Sequence, residues 1–269
     1  MDNEKIKQIL LDIQDTELDF TVTMTGKESK RVNGLYKPDT REILLHNKNF
    51  KTDNQLIYTA VHEYTHHLIN AERIALTGGK EPVREMKVHT QAFWNKFHEL
   101  IEIAEQKGYY KLDINVSPEL EELTKKIRSE YLETNGRLMQ EFGKLLAKAH
   151  ALCEDADIRY EDYLDRVLCL PRSSAKDITR VGMVPVNPAV GYDAMKKLSA
   201  IKKPEDRSAA EQQVLSGKNP DSVLSLMKRK ASPDGDPKTK LEKERDRLSK
   251  TIAQLTQRLQ YVEESLANL

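Results

Sequence analysis

The sequence predicts an α+β fold: a small sheet and a few helices in residues 1–112, an all-helical region after them, and a C-terminal coiled coil. Three observations predict it. Strand-like alternation is confined to Phe20–Met24, Lys30–Tyr36 and Glu42–Leu45. Helical periodicity replaces it from Asp53 onward. The segment 241–269 repeats large apolar residues at heptad spacing. The composition fits this division, since 38% hydrophobic, 6% aromatic and 32% charged residues suit exposed helices around one compact region better than a single large globule.

The elements follow in order. Lys5 to Leu18 reads as a first helix, and the three strand candidates come next, the last two separated by the turn-forming Lys37-Pro38-Asp39-Thr40. Glu42–Leu45 is the expected edge of that sheet. From Asp53 to Leu76, Ile57, Val61, Tyr64, Leu68, Ala71 and Ala75 fall on one helical stripe that should face the sheet. Gly78-Gly79 should stop this helix, a loop with Pro82 follows, and His89 to Gln106 forms another helix ended by Gly108.

Beyond residue 112 the pattern is helical. Ser117-Pro118-Glu119 is a cap with Pro at the first helical position, and helices should run from Pro118 to Glu133 and from Arg137 to Leu152, separated by Asn135-Gly136. Residues 113–170 hold 13 Asp or Glu against 8 Lys or Arg, whereas residues 172–240 hold 14 Lys or Arg against 8 Asp or Glu. This sign change at Pro171 suggests a boundary between an acidic region, 113–170, and a basic one, 171–227. The Pro, Gly and Asp of SPDGDPKTK make 228–240 a linker. In 241–269, Leu241, Leu248, Leu255, Val262 and Leu269 alternate with Ile252, Leu259 and Leu266 as the two core positions of a heptad seam, with Arg245 breaking the first repeat; homo-oligomerisation follows.

Charge and composition exclude several functions. Lys plus Arg equals Asp plus Glu at 43 each, so the whole chain neither coats nucleic acid nor behaves as an acidic solvating polymer. Apolar runs stay short of the roughly 18 residues that cross a bilayer, and the N-terminus lacks the apolar stretch of a signal peptide, so a cytoplasmic protein without membrane partners is expected. Cys153 and Cys169 lack metal-site spacing and should be buried, reduced thiols.

His62-Glu63-Tyr64-Thr65-His66 carries the chemistry. Four residues make about one helical turn, so both imidazoles stack on one face, opposite the Ile57, Val61, Tyr64 and Leu68 stripe, at a spacing suited to one tetrahedral Zn2+. Glu63 lies beside them, placed to take a proton from metal-activated water. A catalytic zinc needs a third protein ligand. The extended pattern with Gly and His three and six residues beyond the second His is absent, because Ile69 and Glu72 occupy those places. His89, opening the next helix and able to point back across the loop, is the expected third ligand; Glu85, Glu72 and His98 are poorer alternatives, and His67 and His46 belong to the ligands' surroundings or the surface.

His62-Glu63-Tyr64-Thr65-His66 followed after a loop by His89-x-x-x-Phe93-Trp94 resembles the SprT-like zinc metallopeptidases, relatives of the Spartan proteases that act on proteins bound to DNA. The similarity covers about residues 1–111. It implies a minimal zincin fold with His62, His66 and His89 as ligands and Glu63 as general base. The sequence departs from the family in having Thr90 where a Gly usually follows the third His, and in lacking a Cys-rich zinc ribbon.

The basic region carries a second, less specific pattern. Tyr160–Leu168, the turn Leu170-Pro171-Arg172-Ser173-Ser174 and Ala175–Val181 resemble a helix-turn-helix whose Arg172, Lys176 and Arg180 would meet DNA. The expected function is a zinc-dependent endopeptidase acting on a protein substrate, with residues 171–240 as a DNA-contacting segment. Two other classes compete: a DNA-binding regulator with a metallopeptidase-like sensor domain, and a coiled-coil scaffold with an inactive zincin fold. Zinc content separates the scaffold from the others, and salt-dependent DNA binding separates the regulator from a plain protease.

Overall fold

A computed structural model describes residues 1–77, 88–231 and 237–267. It is mostly helical with a three-stranded mixed sheet near the N-terminus, an α+β arrangement. Helix α1 (Asn3–Ile13) is capped by Asp2, whose carboxylate accepts from the Lys5 N–H at 2.8 Å, and it buries Ile6, Ile9, Leu10 and Ile13 along one face. It ends before the expected Leu18. Asp15 and Thr16 bond their own neighbourhood, accepting from the N–H groups of Thr16 and Leu18, and so offer the backbone an alternative to another helical turn.

Strands β1 (Thr21–Met24), β2 (Gly34–Lys37) and β3 (Glu42–Leu45) are ordered β1-β3-β2, with β1 parallel and β2 antiparallel to β3. The expected edge is therefore corrected: Glu42–Leu45 is the central strand, and Gly34–Lys37 is an edge strand, with no strand beyond it among the described residues. The second strand is also shorter than Lys30–Tyr36. Ser29 Oγ accepts from the N–H groups of Arg31 and Val32, and the Asn49 amide donates to Ser29 O and Asn33 Oδ1, so side chains rather than a strand partner satisfy this stretch.

Helix α2 (Asp53–Leu76) starts at Thr52, whose hydroxyl accepts from the Gln55 N–H. Ile57, Ala60, Val61, Tyr64 and Leu68 sink into a core shared with Leu10, Phe20, Ile43, Leu45, Phe93, Phe97 and Leu100. The stripe fades at its end, where Ala71 is half-buried and Ala75 exposed. Helix α3 (Gln91–Gln106) covers the other side of α2. The expected stop at Gly78-Gly79, the Pro82 loop and Glu85 lie outside the described residues.

The following helix is continuous: α4 (Pro118–Lys126), a π-helical stretch over Ile127–Glu133, and α5 (Thr134–Asp155) join without a break. Asn135-Gly136 lies within this helix and does not interrupt it. A Cβ on Gly136 would meet Pro188 O at 2.8 Å, so this glycine serves a close approach of chain rather than a turn. After the short α6 (Tyr160–Asp162) and a second π-helical stretch (Tyr163–Val167), α7 (Arg172–Met183) packs along α5. Pro171 precedes it, and no side chain caps it, so the helix takes in the Arg172-Ser173-Ser174 expected to be turn. Helices α8 (Tyr192–Leu198), α9 (Pro204–Leu215) and α10 (Pro220–Ala231) complete the bundle. The charge reversal at Pro171 does not divide the core, because Leu146 and Leu164 before it pack with Ala175 and Ile178 after it.

Both cysteines are free, Cys153 buried as expected but Cys169 exposed, in a left-handed backbone conformation (φ 51°) between the π-helical stretch and α7. The expected linker is narrower than 228–240, since α10 runs to Ala231 and α11 (Pro237–Ala267) starts at Pro237, with 232–236 outside the described residues. The seam residues Leu248, Ile252, Leu255, Leu259, Val262 and Leu266 on α11 are all exposed. No described helix is long and apolar enough to cross a membrane.

The α5–α7 crossing depends on two glycines. A Cβ on Gly143 would lie 2.2 Å from Ile178 O and 2.8 Å from Gly182 Cα, and backbone on both helices cannot step aside cheaply. Gly143→Ala should lower the stability of the helical bundle by about 1–3 kcal/mol in denaturant unfolding. An unchanged midpoint would show that the helices do not cross this closely.

Candidate metal centre

The period of α2 distributes one motif over three surroundings. Tyr64 goes down into the core, Glu63 turns toward β2, and His62 and His66, half-buried, turn toward the start of α3. His89 comes to meet them from just ahead of α3, one residue before the N-cap, rather than from within the helix as the sequence suggested. Thr90 has a definite task there, for its hydroxyl accepts from the Phe93 N–H at 3.3 Å and fixes where α3 begins. Thr90 is thus the cap of the helix that His89 immediately precedes.

The imidazoles converge tip to tip. His89 Nε2 lies 3.1 Å from His62 Nε2 and 3.2 Å from His66 Nε2. One ligand atom from each falls within 4.8 Å of the others, and this trio is the one group of its kind among the described residues. A tetrahedron of nitrogens at the usual zinc–nitrogen length has an edge of about 3.3 Å, so the spacing fits one cation. Hydrogen bonding accounts for it less well, because three neutral rings cannot all donate and accept at one shared point. Burial, together with the neighbouring histidines, lowers the pKa of His66 to about 3 and of His62 to about 4, which keeps their lone pairs free at neutral pH. Phe93 packs against all three rings at 4.4–4.9 Å, and Trp94 stacks on His89 at 5.7 Å. These aromatic faces fix the ring orientations.

Glu63 is buried, and burial raises its pKa to about 7 against the opposing pull of a hydrogen bond from the Tyr36 backbone N–H. It lines, with His62, His66 and His89, a cavity of about 800 Å³ that runs along β2 from Val32 to Thr40. Behind it, Tyr36 Oη is 3.1 Å from His67 Nδ1 and accepts from Asn70 Nδ2 at 3.2 Å, while His67 Nε2 is 3.0 Å from Leu18 O. His67 is therefore fully buried and ties strand to helix; it is not at the surface.

The other candidates stand away from the trio. Glu72 pairs with Lys96 at 3.7 Å, His46 bonds Thr25, and His98, whose Nδ1 is buried, falls outside the group. In the basic region, Arg172 is held by Asp165, and Arg180 by Asp177 and Ser199, while Lys176 is exposed on α7. The sequence patterns do not single out Gly34, Tyr36 or Asn70, although a glycine inside a strand pattern is a known mark of close backbone approach. No family model, no curated protein and no solved structure matches the chain.

The trio sets a test. His89→Ala and His66→Ala should each remove most of the bound zinc, by about 10²-fold or more in affinity, whereas His98→Ala should leave it unchanged in metal analysis and competition titration.

Proposed function

We propose that the protein is a zinc-dependent endopeptidase of SprT-like type, with a minimal zincin fold in its N-terminal region. The observation that carries this reading is the convergence of His62, His66 and His89 beside a buried glutamate, in a cavity lined by the edge strand β2. Three histidine ligands with no fourth protein ligand among the described residues is the donor set of a catalytic zinc site, which keeps one position open. Zinc held there supplies Lewis-acid activation of the water and of the scissile carbonyl.

The rest of the work belongs to the chain. Glu63, with a pKa near 7, takes the proton of the attacking water and delivers it to the leaving amine, and its burial strengthens it as a base by withholding solvent. Phe93 and Trp94 hold the imidazoles in place. An extended peptide adds to β2 as a further strand, because the backbone N–H and C=O of Gly34 and the C=O of Tyr36 face away from β3. Folded proteins cannot enter such an edge, so the substrate is an unfolded or mobile segment of a protein.

Glu63→Gln should keep the fold and the zinc but lower turnover of an unstructured protein substrate by about 10²-fold or more, since the amide cannot accept the proton. Near-normal turnover by the zinc-loaded variant would exclude this mechanism.

Residues 241–269 supply self-association in this account. The seam on α11 is exposed along its described length, and apolar residues at heptad spacing find cover most simply in the same helix of a second copy. Deleting 241–269 should reduce the mass in sedimentation to that of a monomer while leaving zinc content and cleavage unchanged. Recruitment to DNA through 171–240 is a subsidiary element of the proposal. With Arg172 and Arg180 engaged by carboxylates, it falls to Lys176 and the exposed Lys202 and Lys203, and a salt-dependent affinity would reveal it.

A further inference from the structure

The strand β2 approaches α2 more closely at Gly34 than any side chain would allow. A Cβ placed there would lie 2.8 Å from Glu63 Cγ, 2.8 Å from Thr59 Cγ2 and 3.0 Å from Glu63 Oε1. Gly34 is buried, and its backbone does not occupy the left-handed region in which glycine is favoured, so the requirement is for space and not for an unusual dihedral.

The register shows what the approach achieves. The His46 N–H donates to Asn33 O at 2.9 Å, so along the antiparallel ladder Asn33, Leu35 and Lys37 bond to β3, and the amides of Gly34 and Tyr36 point outward. One of those outward amides, Tyr36 N–H, donates to the Glu63 carboxylate. Two residues along the same face, Gly34 leaves room for the glutamate's Cγ and Oε1. The tie from Asn70 and His67 to the Tyr36 hydroxyl holds this stretch of the strand against α2.

We infer that Gly34 is a positioning residue for Glu63: by carrying no side chain it lets the edge strand lie on the glutamate, so that the Tyr36 amide fixes the carboxylate toward the histidine trio. This inference rests on the proposed peptidase reading, because it gives Glu63 its role in that reaction. It also sets the substrate register. The Tyr36 N–H is engaged by the protein's own carboxylate, so a peptide added to β2 has its ladder interrupted at Tyr36.

The test uses the full-length chain. Zinc-loaded Gly34→Ala should retain its zinc, with turnover lowered on the order of 10²-fold and KM changed less than about threefold, because binding along the strand survives while the base is displaced. A purely structural role would leave turnover per folded molecule unchanged, and that result would overturn the inference. The packing is read separately by thermal unfolding. Gly34→Ala should lower the melting temperature clearly in the wild-type background and much less in a Glu63→Ala, Thr59→Ser background, where the opposing atoms are gone. An equal loss in both backgrounds would also overturn it. If Gly34→Ala alone does not fold, the combined variant must fold, and its failure to do so counts against the inference. Wild-type protein that cleaves nothing would sink the peptidase reading, while the unfolding comparison would still decide whether Gly34 seats the glutamate.

Discussion

The packing of α2 between the sheet and α3 governs everything at the site. Its 3.6-residue period sends Ile57, Val61, Tyr64 and Leu68 into the core, Thr59 and Glu63 against β2, and His62 and His66 toward His89. A rotation of the helix by a fraction of a turn would spoil all three relations together. That rotation is resisted from two sides. Tyr36, His67 and Leu18 O connect strand, helix and the preceding loop by hydrogen bonds, and burial holds the pKa of His67 down at about 4, which keeps it a neutral link. On the other side Phe93 and Phe97, fully buried, fill the space between α2 and α3.

The helical half is built on close backbone approach more than on large side chains. Gly143 and Gly182 let α5 and α7 touch, Gly136 lets the Pro188 turn sit on the long helix, and smaller clusters around Leu146 and Met195 fill the gaps. This bundle is tied to the N-terminal region through α3: α10 packs on it, and Lys218 pairs with Glu102 at 3.1 Å. The helix that places His89 at one end therefore receives the C-terminal bundle further along its length.

Much of this was legible in the sequence, and the failures have physical causes. Helix α2 from Asp53 to Leu76 and strand β3 from Glu42 to Leu45 have the expected limits, because strong periodicity and unambiguous turn residues mark them. The meeting of His62, His66 and His89 was expected as well, on the spacing of the motif and the position of the next helix. Pairing order was not legible. Nothing local distinguishes a central strand from an edge strand, so the pattern places Glu42–Leu45 at the edge that Gly34–Lys37 occupies. Gly136 reads as a breaker in the sequence but marks a contact with a distant segment. Asp15 and Thr16 end α1 early through bonds to their own backbone, a competition that helix periodicity does not register.

As proposed, the trio is an open, catalytic zinc site and not a closed structural one. X-ray absorption at the zinc edge of the metal-loaded chain measures this most directly. The expected result is one zinc per chain, bound by three imidazoles and one further light atom at about 2.0–2.1 Å, with the imidazole signal reduced in His89→Ala. A spectrum with sulfur ligands, with four protein ligands, or with the same imidazole count in His89→Ala would contradict it.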